Sequence, residues 1–392
     1  MNKFYKIWLL FYFFSIQLFG QENNKHVIVG AERISEYKNI ISNRSIGLLV
    51  NQTSMVQNKH LIDTLDNLGF DIKKIFTPEH GFKGIIERGK TINNDTLLIN
   101  NKKIPIVSMY GSNRIPSDES MSGIDLVIFD IQDVGARFYT YISAMHNMMA
   151  KCAKHKIEFL VLDRPNPNGH YIDGPVLEKE FKSYIGMHEI PIVHGCTVGE
   201  LAKMIKGEKW IDNSQNLNLN VIQVKNWDHN KKYILPIKPS PNLPNQQSIL
   251  LYPTLCLFEQ TIISIGRGTE FPFQIIGHPQ SSIKEYNFTP KSVVEESKPK
   301  FENKTSYGID LRKAKVDNKI NLKYLIDFYN DLKEIDDDFF GKNFFRIAGN
   351  KTLEKQIITG LSENEIRASW KEKIDFYKVI RKKYLLYKDF EQ

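Results

Sequence analysis

Short apolar runs that stop abruptly at charged or amide residues constrain the fold of this chain more than any other feature. Ile46 to Val50 stops at Asn51, Ile72 to Phe76 at Thr-Pro-Glu79-His80, Leu126 to Phe129 at Asp130, and Phe159 to Leu162 at Asp163-Arg164. Runs this short and this apolar are expected for strands of a parallel sheet covered on both faces. Ile106 to Met109 reads as a further strand, preceded by a polar excursion around Lys90 to Lys103. Helical spacing separates the runs, at Asn58 to Leu68 and again at Phe138 to Lys154. In the second of these, Tyr141, Ala144, Met145, Met148 and Cys152 recur every three or four residues and mark a core-facing stripe. Strands alternating with helices predict an α/β protein with a mainly parallel, Rossmann-like sheet. The first strand is not followed by Gly-x-Gly-x-x-Gly, which disfavours dinucleotide binding.

In such sheets ligands bind beyond the carboxyl ends of the strands, so the polar residues found there are the site candidates. They are Asn51 after the first strand, Glu79 and His80 after the second, then Asp130, Asp133, Arg137 and Tyr139, and finally Asp163 and Arg164. Asp130 and Asp133 are equally suited to cap the following helix. Arg137, read at a helix start, opposes the helix dipole and so points to an anionic partner. In the second half, Glu259 and Arg267 suit a buried ion pair as well as a substrate contact. There is no HExxH or HxH spacing to suggest a metal site, and no Gly-x-Ser-x-Gly elbow to suggest a serine hydrolase. No metal or cofactor is therefore expected. Carboxylate acid/base chemistry remains, and glycoside hydrolysis is its commonest fit. Glu79, His80 and Asp130 are the catalytic candidates; the other residues named are candidates for substrate binding.

The 392 residues suffice for two domains. Lys3 and Lys6 precede an apolar run from Ile7 to Phe19, the pattern of a secretory signal cleaved after Gly20. The expectation is export to the periplasm or the medium, without stable membrane insertion afterwards. Cleavage removes two lysines and no acid, taking the formal charge from +8 to +6. A modest positive charge in that compartment favours an acidic cell-wall glycan over nucleic acid. Cys152, Cys196 and Cys256 are odd in number and scattered, so they offer no disulfide framework. A boundary is placed near residue 195, giving a Rossmann-like domain over 21–195 and an α/β auxiliary domain over 196–392. Within the latter, Thr197 to Glu200 is a capping box for a helix to Ile205, and Lys238 to Pro244 is too proline-rich for a regular element. Tyr252 to Glu259 reads as helix and Thr261 to Arg267 as strand. Ser362 to Tyr387 reads as an amphipathic helix with Ile366, Trp370, Ile374, Phe376 and Tyr377 on or near one face.

Six ordered motifs carry a resemblance. They are Leu-Leu-Val-Asn-Gln-Thr-Ser (48–54), Phe-Thr-Pro-Glu-His-Gly-Phe-Lys-Gly (76–84), Phe-Asp-Ile-Gln-Asp-Val-Gly-Ala-Arg-Phe-Tyr-Thr-Tyr (129–141), Leu-Asp-Arg-Pro-Asn-Pro (162–167), Pro-Ser-Pro-Asn-Leu-Pro (239–244) and Gly-Arg-Gly-Thr (266–269). With these the chain resembles the exo-β-N-acetylmuramidase family typified by NamZ, from about residue 27 to Tyr387. The resemblance implies a Rossmann-like catalytic domain, an auxiliary domain, and release of terminal N-acetylmuramic acid from MurNAc-GlcNAc peptidoglycan fragments. It implies Glu79 as the main catalytic acid, with His80, Asp130, Asp133, Arg137 and Tyr139 lining the pocket and Arg137 pairing with the lactyl carboxylate. Phe-Glu-Gln-Thr (258–261) stands where the family pattern has Phe-Glu-Gly-Thr. Competing readings are a metal-assisted cell-wall amidase or esterase and a non-catalytic muropeptide-binding protein.

Overall fold

The computed structural model describes residues 26–86, 95–294, 296–335 and 338–391. The signal segment expected at residues 1–20 and the start of the polar excursion, residues 90–94, lie outside the described residues. The apolar runs do form strands, and they assemble into one seven-stranded sheet. From one edge the order is Asp95–Ile99, Lys102–Ser108, Asp71–Thr77, Ser45–Val50, Leu126–Asp130, Glu158–Leu162 and Leu219–Ile222. All neighbours are parallel except at the Asp95–Ile99 edge, which pairs antiparallel with Lys102–Ser108. The chain leaves the central strand Ser45–Val50 in one direction and resumes on its other side at Leu126–Asp130. The crevice above these two strands is therefore a topological switch point.

Alternation along each strand divides the core into two layers. Ile46, Leu48, Val50, Leu126, Ile128, Leu160 and Leu162 face the helices Ile34–Ile41 and Leu61–Asn67. Leu49, Val127, Phe129, Phe159 and Val161 face the helices Tyr141–His155 and Val198–Gly207. The second layer does not end with the sheet, since the same cluster continues through Leu243, Phe258, Phe273, Phe328, Ile366 and Trp370. One apolar core thus joins the two halves. A smaller antiparallel sheet, Ile275–His278, Ser306–Asp310 and Tyr286–Phe288, sits in the second half with Ser306–Asp310 at its centre.

Several expectations need correction. The sheet does not stop at residue 195: its last strand is Leu219–Ile222. The Val198–Gly207 helix packs on the same sheet, held by its Thr197/Glu200 capping box and by Asp163, which accepts from the Gly199 amide at 2.8 Å. Lys102–Ser108 is a strand rather than the end of a polar excursion, because it completes a hairpin with Asp95–Ile99. The helix expected from Tyr252 begins at Gln246, where Asn245 supplies the cap, and its last turn tightens into a 3-10 segment, Cys256–Gln260. Thr261 to Arg267 forms only isolated bridges. The Lys300 ammonium lies within hydrogen-bond distance of the carbonyls of Phe258, Glu259, Thr261 and Ile263, so two carbonyls of this segment face a side-chain donor where a strand ladder would have an amide. In the last helix, Glu363–Lys382, Phe376 points outward and is 69% exposed, whereas Ile366, Trp370, Ile374 and Tyr377 are buried.

Candidate active site

Glu79 emerges two residues after the strand Asp71–Thr77, where Pro78 ends the ladder and His80 takes a left-handed φ of 70°. That backbone is uncommon for a residue with a side chain, and it is concentrated at functional loops. The His80 ring is pinned by a 2.7 Å contact between Nδ1 and the Ile86 carbonyl. Across from it, the Thr140 hydroxyl donates to the Glu79 carboxylate at 2.9 Å. The two motif segments therefore meet, as the position of both at strand ends predicts.

The second half closes the site with the proline-rich loop 238–244. Tyr141 donates its phenol to the Pro239 carbonyl at 3.0 Å, and the Gln52 amide donates to the carbonyls of Lys238 and Pro239 at 3.2 and 3.0 Å. Gly84 lies against Gln52 with φ 63°; a side chain there would collide with it and disturb this hold. The result is a cavity of about 140 Å³ whose lining includes Glu79, His80, Tyr139, Thr140, Glu259 and Arg267. Glu259 and Arg267 are ion-paired, and Glu296 stands 3.5 Å from the other side of the guanidinium. Arg267 also lies over the Phe273 ring, 5.0 Å from its centre. Tyr139 stands edge-on to Tyr141 and Tyr252, making an aromatic wall.

The remaining candidates occupy other places. Asp130 is fully buried and held by Arg164, whose Nε and Nη2 donate to its two oxygens at 2.6 and 2.9 Å. A carboxylate so engaged does not line the cavity, and the expected closeness of Glu79 and Asp130 in one pocket is replaced by Glu79 with Thr140. Asp163 accepts from the hydroxyls of Thr197 and Tyr387 and from the Gly199 amide, so it ties a helix start and the C-terminal tail to the sheet. Asn51 holds the turn after the first strand through the amide and hydroxyl of Thr53. Neither Asp130 nor Asp133 caps the next helix, which begins only at Tyr141 with Thr140 before it.

Arg137 differs most from its expected role. It sits before that helix rather than in its first turn, so the dipole argument does not apply. The guanidinium is buried, and its two terminal nitrogens donate to four carbonyls, those of Pro175, Ile190, Ile347 and Ala348, at 2.7 to 2.9 Å. It joins the first half to the helix Phe344–Ala348 and is not offered to a substrate acid. Sequence reasoning could not see this, because the acceptors are main-chain atoms that leave no mark in the side-chain pattern. It also did not place Thr140, Tyr141 or the loop 238–244 at the site, although Thr140, Tyr141 and residues 239–244 fall inside the quoted motifs.

Asp133 is buried, and its Oδ2 accepts from the Gly135 amide at 2.6 Å. Burial pushes its carboxyl up to about 7, only partly offset by the amides of Gly135 and Val134. Its Oδ1 has no hydrogen-bond partner, and the His194 ring stands 3.9 Å from Oδ2. A carboxyl raised in this way holds its proton in the folded chain after the unfolded chain has released it. Its contribution to stability is therefore full below about pH 4 and lost as pH rises through 7, by roughly 4 kcal/mol. His194, pushed down to about 3 chiefly by burial, contributes the opposite slope. The informative quantity is thus the difference between Asp133→Asn and wild type. In urea unfolding, the variant should gain relative to wild type between pH 5 and 7.5; an unchanged difference would mean that Asp133 is ionised in the fold.

The family described as "Exo-beta-N-acetylmuramidase NamZ, N-terminal" matches residues 46–247, and its C-terminal counterpart matches residues 250–387. The chain is 34% identical over 376 residues to the peptidoglycan beta-N-acetylmuramidase NamZ of Bacillus subtilis, covering 90% of this chain and 89% of that protein. A crystal structure of a DUF1343 family protein from Bacteroides fragilis superposes with a TM-score of 0.85 at 45% identity, covering 93% of this chain and 99% of that one. A second protein of that description from the same organism gives 0.76 at 27% identity, with 92% and 99% covered. The two matched regions meet between residues 247 and 250, beyond the last strand of the large sheet, and together they span most of the sequence. The chain belongs to the exo-β-N-acetylmuramidase NamZ family, a family of glycosidases.

Proposed function

We propose that the protein is an exo-acting glycoside hydrolase that releases terminal N-acetylmuramic acid from the non-reducing ends of peptidoglycan fragments. The observation that carries this reading is that Glu79, anchored by Thr140, lines the same cavity as the ion-paired Glu259. Glycoside hydrolysis needs two carboxyl groups about one scissile bond, and their separation decides whether configuration is inverted or retained. Glu79 gives its proton to the leaving oxygen as the bond to the anomeric carbon breaks. Glu259, ion-paired with Arg267, takes a proton from the water whose oxygen then bonds to that carbon. Family membership supports the substrate class, and the aromatic wall of Tyr139, Tyr252 and Phe273 suits the apolar face of a sugar ring. Arg267 takes over the part first expected of Arg137: it lines the cavity, and with its terminal nitrogens on Glu259 and Glu296 its Nε is the donor left for the lactyl carboxylate.

The test is incubation of purified protein with a MurNAc-GlcNAc disaccharide, with and without chelator. Free N-acetylmuramic acid should appear by mass spectrometry in both arms; no release would sink the reading, and release abolished by chelator would favour a metal-assisted hydrolase. On a substrate with N-acetylglucosamine in place of the muramic acid, kcat/KM should fall at least about tenfold, the scale of one charge-assisted contact. Arg267→Ala should narrow that gap. Equal cleavage of both sugars by wild type would remove the arginine from recognition.

A further inference from the structure

Beside the cavity lies a larger open groove of about 570 Å³, within the roughly 300–1,000 Å³ of small-molecule sites. The two share their walls. The loop 238–244 presents Ser240 and Leu243 to the cavity, Lys238 and Pro241 to the groove, and Asn242 to both. The segment 267–273 does the same, with Arg267 and Phe273 on the cavity and Gly268, Phe271 and Pro272 on the groove. A ligand that fills the cavity and is longer than one sugar has this groove as its adjoining surface.

The groove's chemistry is specific. Phe271 and Tyr286 flank the Arg312 guanidinium, at 4.3 and 5.2 Å from its carbon, and Tyr286 stacks with Phe288 at 24° between planes. Arg312 is itself fixed by Asp310 at 2.7 Å, so the rings are held by a ladder of contacts. Lys238 and Lys291 are exposed on the lining, and among the described residues neither is ion-paired; Glu270 is the acid that shares the surface with them. The Lys291 amide donates to the Gly268 carbonyl at 2.8 Å, which ties this lysine's segment to the wall common with the cavity.

We propose that this groove binds the leaving side of the peptidoglycan fragment, the N-acetylglucosamine and the following peptide-bearing muramic acid. The sugars lie along the Phe271 and Tyr286 surface, backed by the buried Phe288, and stem-peptide carboxylates meet Lys238 and Lys291. The inference rests on the proposed muramidase reading for the identity of the occupant. It adds that the enzyme reads what lies beyond the bond it cuts. The positive lining favours peptide-bearing over peptide-free chains, because each exposed lysine contributes a screened attraction to a carboxylate.

The test measures binding without turnover. The disaccharide GlcNAc–MurNAc carrying its stem peptide is titrated calorimetrically into wild type and into the double variant Lys238→Glu, Lys291→Glu. Wild type should bind it at least tenfold more tightly than the peptide-free disaccharide; the double variant should lose that preference, and Lys238→Arg, Lys291→Arg should keep it. A wild type without preference, or a charge-reversed protein that retains it, overturns the proposal. Unaltered thermal melting of the variants shows that the groove alone has changed. A chromogenic muramide with no leaving-side sugar separates the two readings. If wild type releases N-acetylmuramic acid neither from it nor from the MurNAc-GlcNAc disaccharide, the muramidase assignment fails, while the titration still decides the groove.

Discussion

Glu79→Gln should lower kcat on the MurNAc-GlcNAc disaccharide by about 10³ to 10⁴, in line with the ~10²–10⁴ that a positioned general acid contributes to a glycoside bond with a poor leaving group. The substitution keeps the shape of the side chain, and the amide oxygen can still accept from the Thr140 hydroxyl at the position now 2.9 Å away. Only the capacity to donate and carry the proton is removed. KM should change little, and the urea midpoint should stay within the range of a surface substitution, about 0.5 kcal/mol. The same measurement on Asp130→Asn separates the two carboxylates first considered for this chemistry. With Asp130 buried against Arg164, its loss strands a guanidinium and costs stability on the scale of a broken buried pair, about 3–5 kcal/mol. If Glu79→Gln retains near wild-type turnover, the acid lies elsewhere in the cavity.

The largest effect on stability should come from Arg137→Met, which takes the donor from the buried carbonyls of Pro175, Ile347 and Ala348 and leaves that of Ile190 only the Leu177 amide. At about 1–3 kcal/mol for each unsatisfied group, the loss is on the order of 5 kcal/mol or more, comparable with the whole stability of many proteins. The variant should be recovered mostly unfolded or with a urea midpoint far below wild type. Arg137→Lys should fall between, since one ammonium cannot reach all the acceptors that the planar fork spans. Arg137→Lys also distinguishes a fold clamp from a substrate contact. Preference for muramic acid over N-acetylglucosamine should survive in whatever fraction folds, whereas a fall in preference at unchanged stability would return Arg137 to the site.

The strand cores were legible because a parallel strand covered on both faces must be apolar along its length, and few other elements combine that with such brevity. Ile46 to Val50, Ile72 to Phe76, Leu126 to Phe129 and Phe159 to Leu162 all lie in the sheet, and the order of strands follows from the chain turning back at the centre. Thr261 to Arg267 misled for an equally physical reason. It has the composition of a strand, but its Thr261 and Ile263 carbonyls face the Lys300 ammonium of a distant segment. The sheet likewise runs on past residue 195, as a change of texture in the sequence does not reveal that Leu219–Ile222 pairs with Glu158–Leu162.

For the site, composition and motif order could say that polar groups crowd the carboxyl ends of the strands, and Glu79, His80 and Tyr139 do share a cavity with Glu259 and Arg267. They could not say which acid stands free and which is spoken for. Asp130 and Glu79 look alike along the chain, each following an apolar run. One meets Arg164 in the interior and the other a threonine hydroxyl at a cavity wall. Local sequence sets where a side chain leaves the backbone, because strand period and turn chemistry act over a few residues. Its partner depends on packing between segments tens to hundreds of positions apart, as with Arg137 and the carbonyls of Ile347 and Ala348, and only the folded chain brings those together.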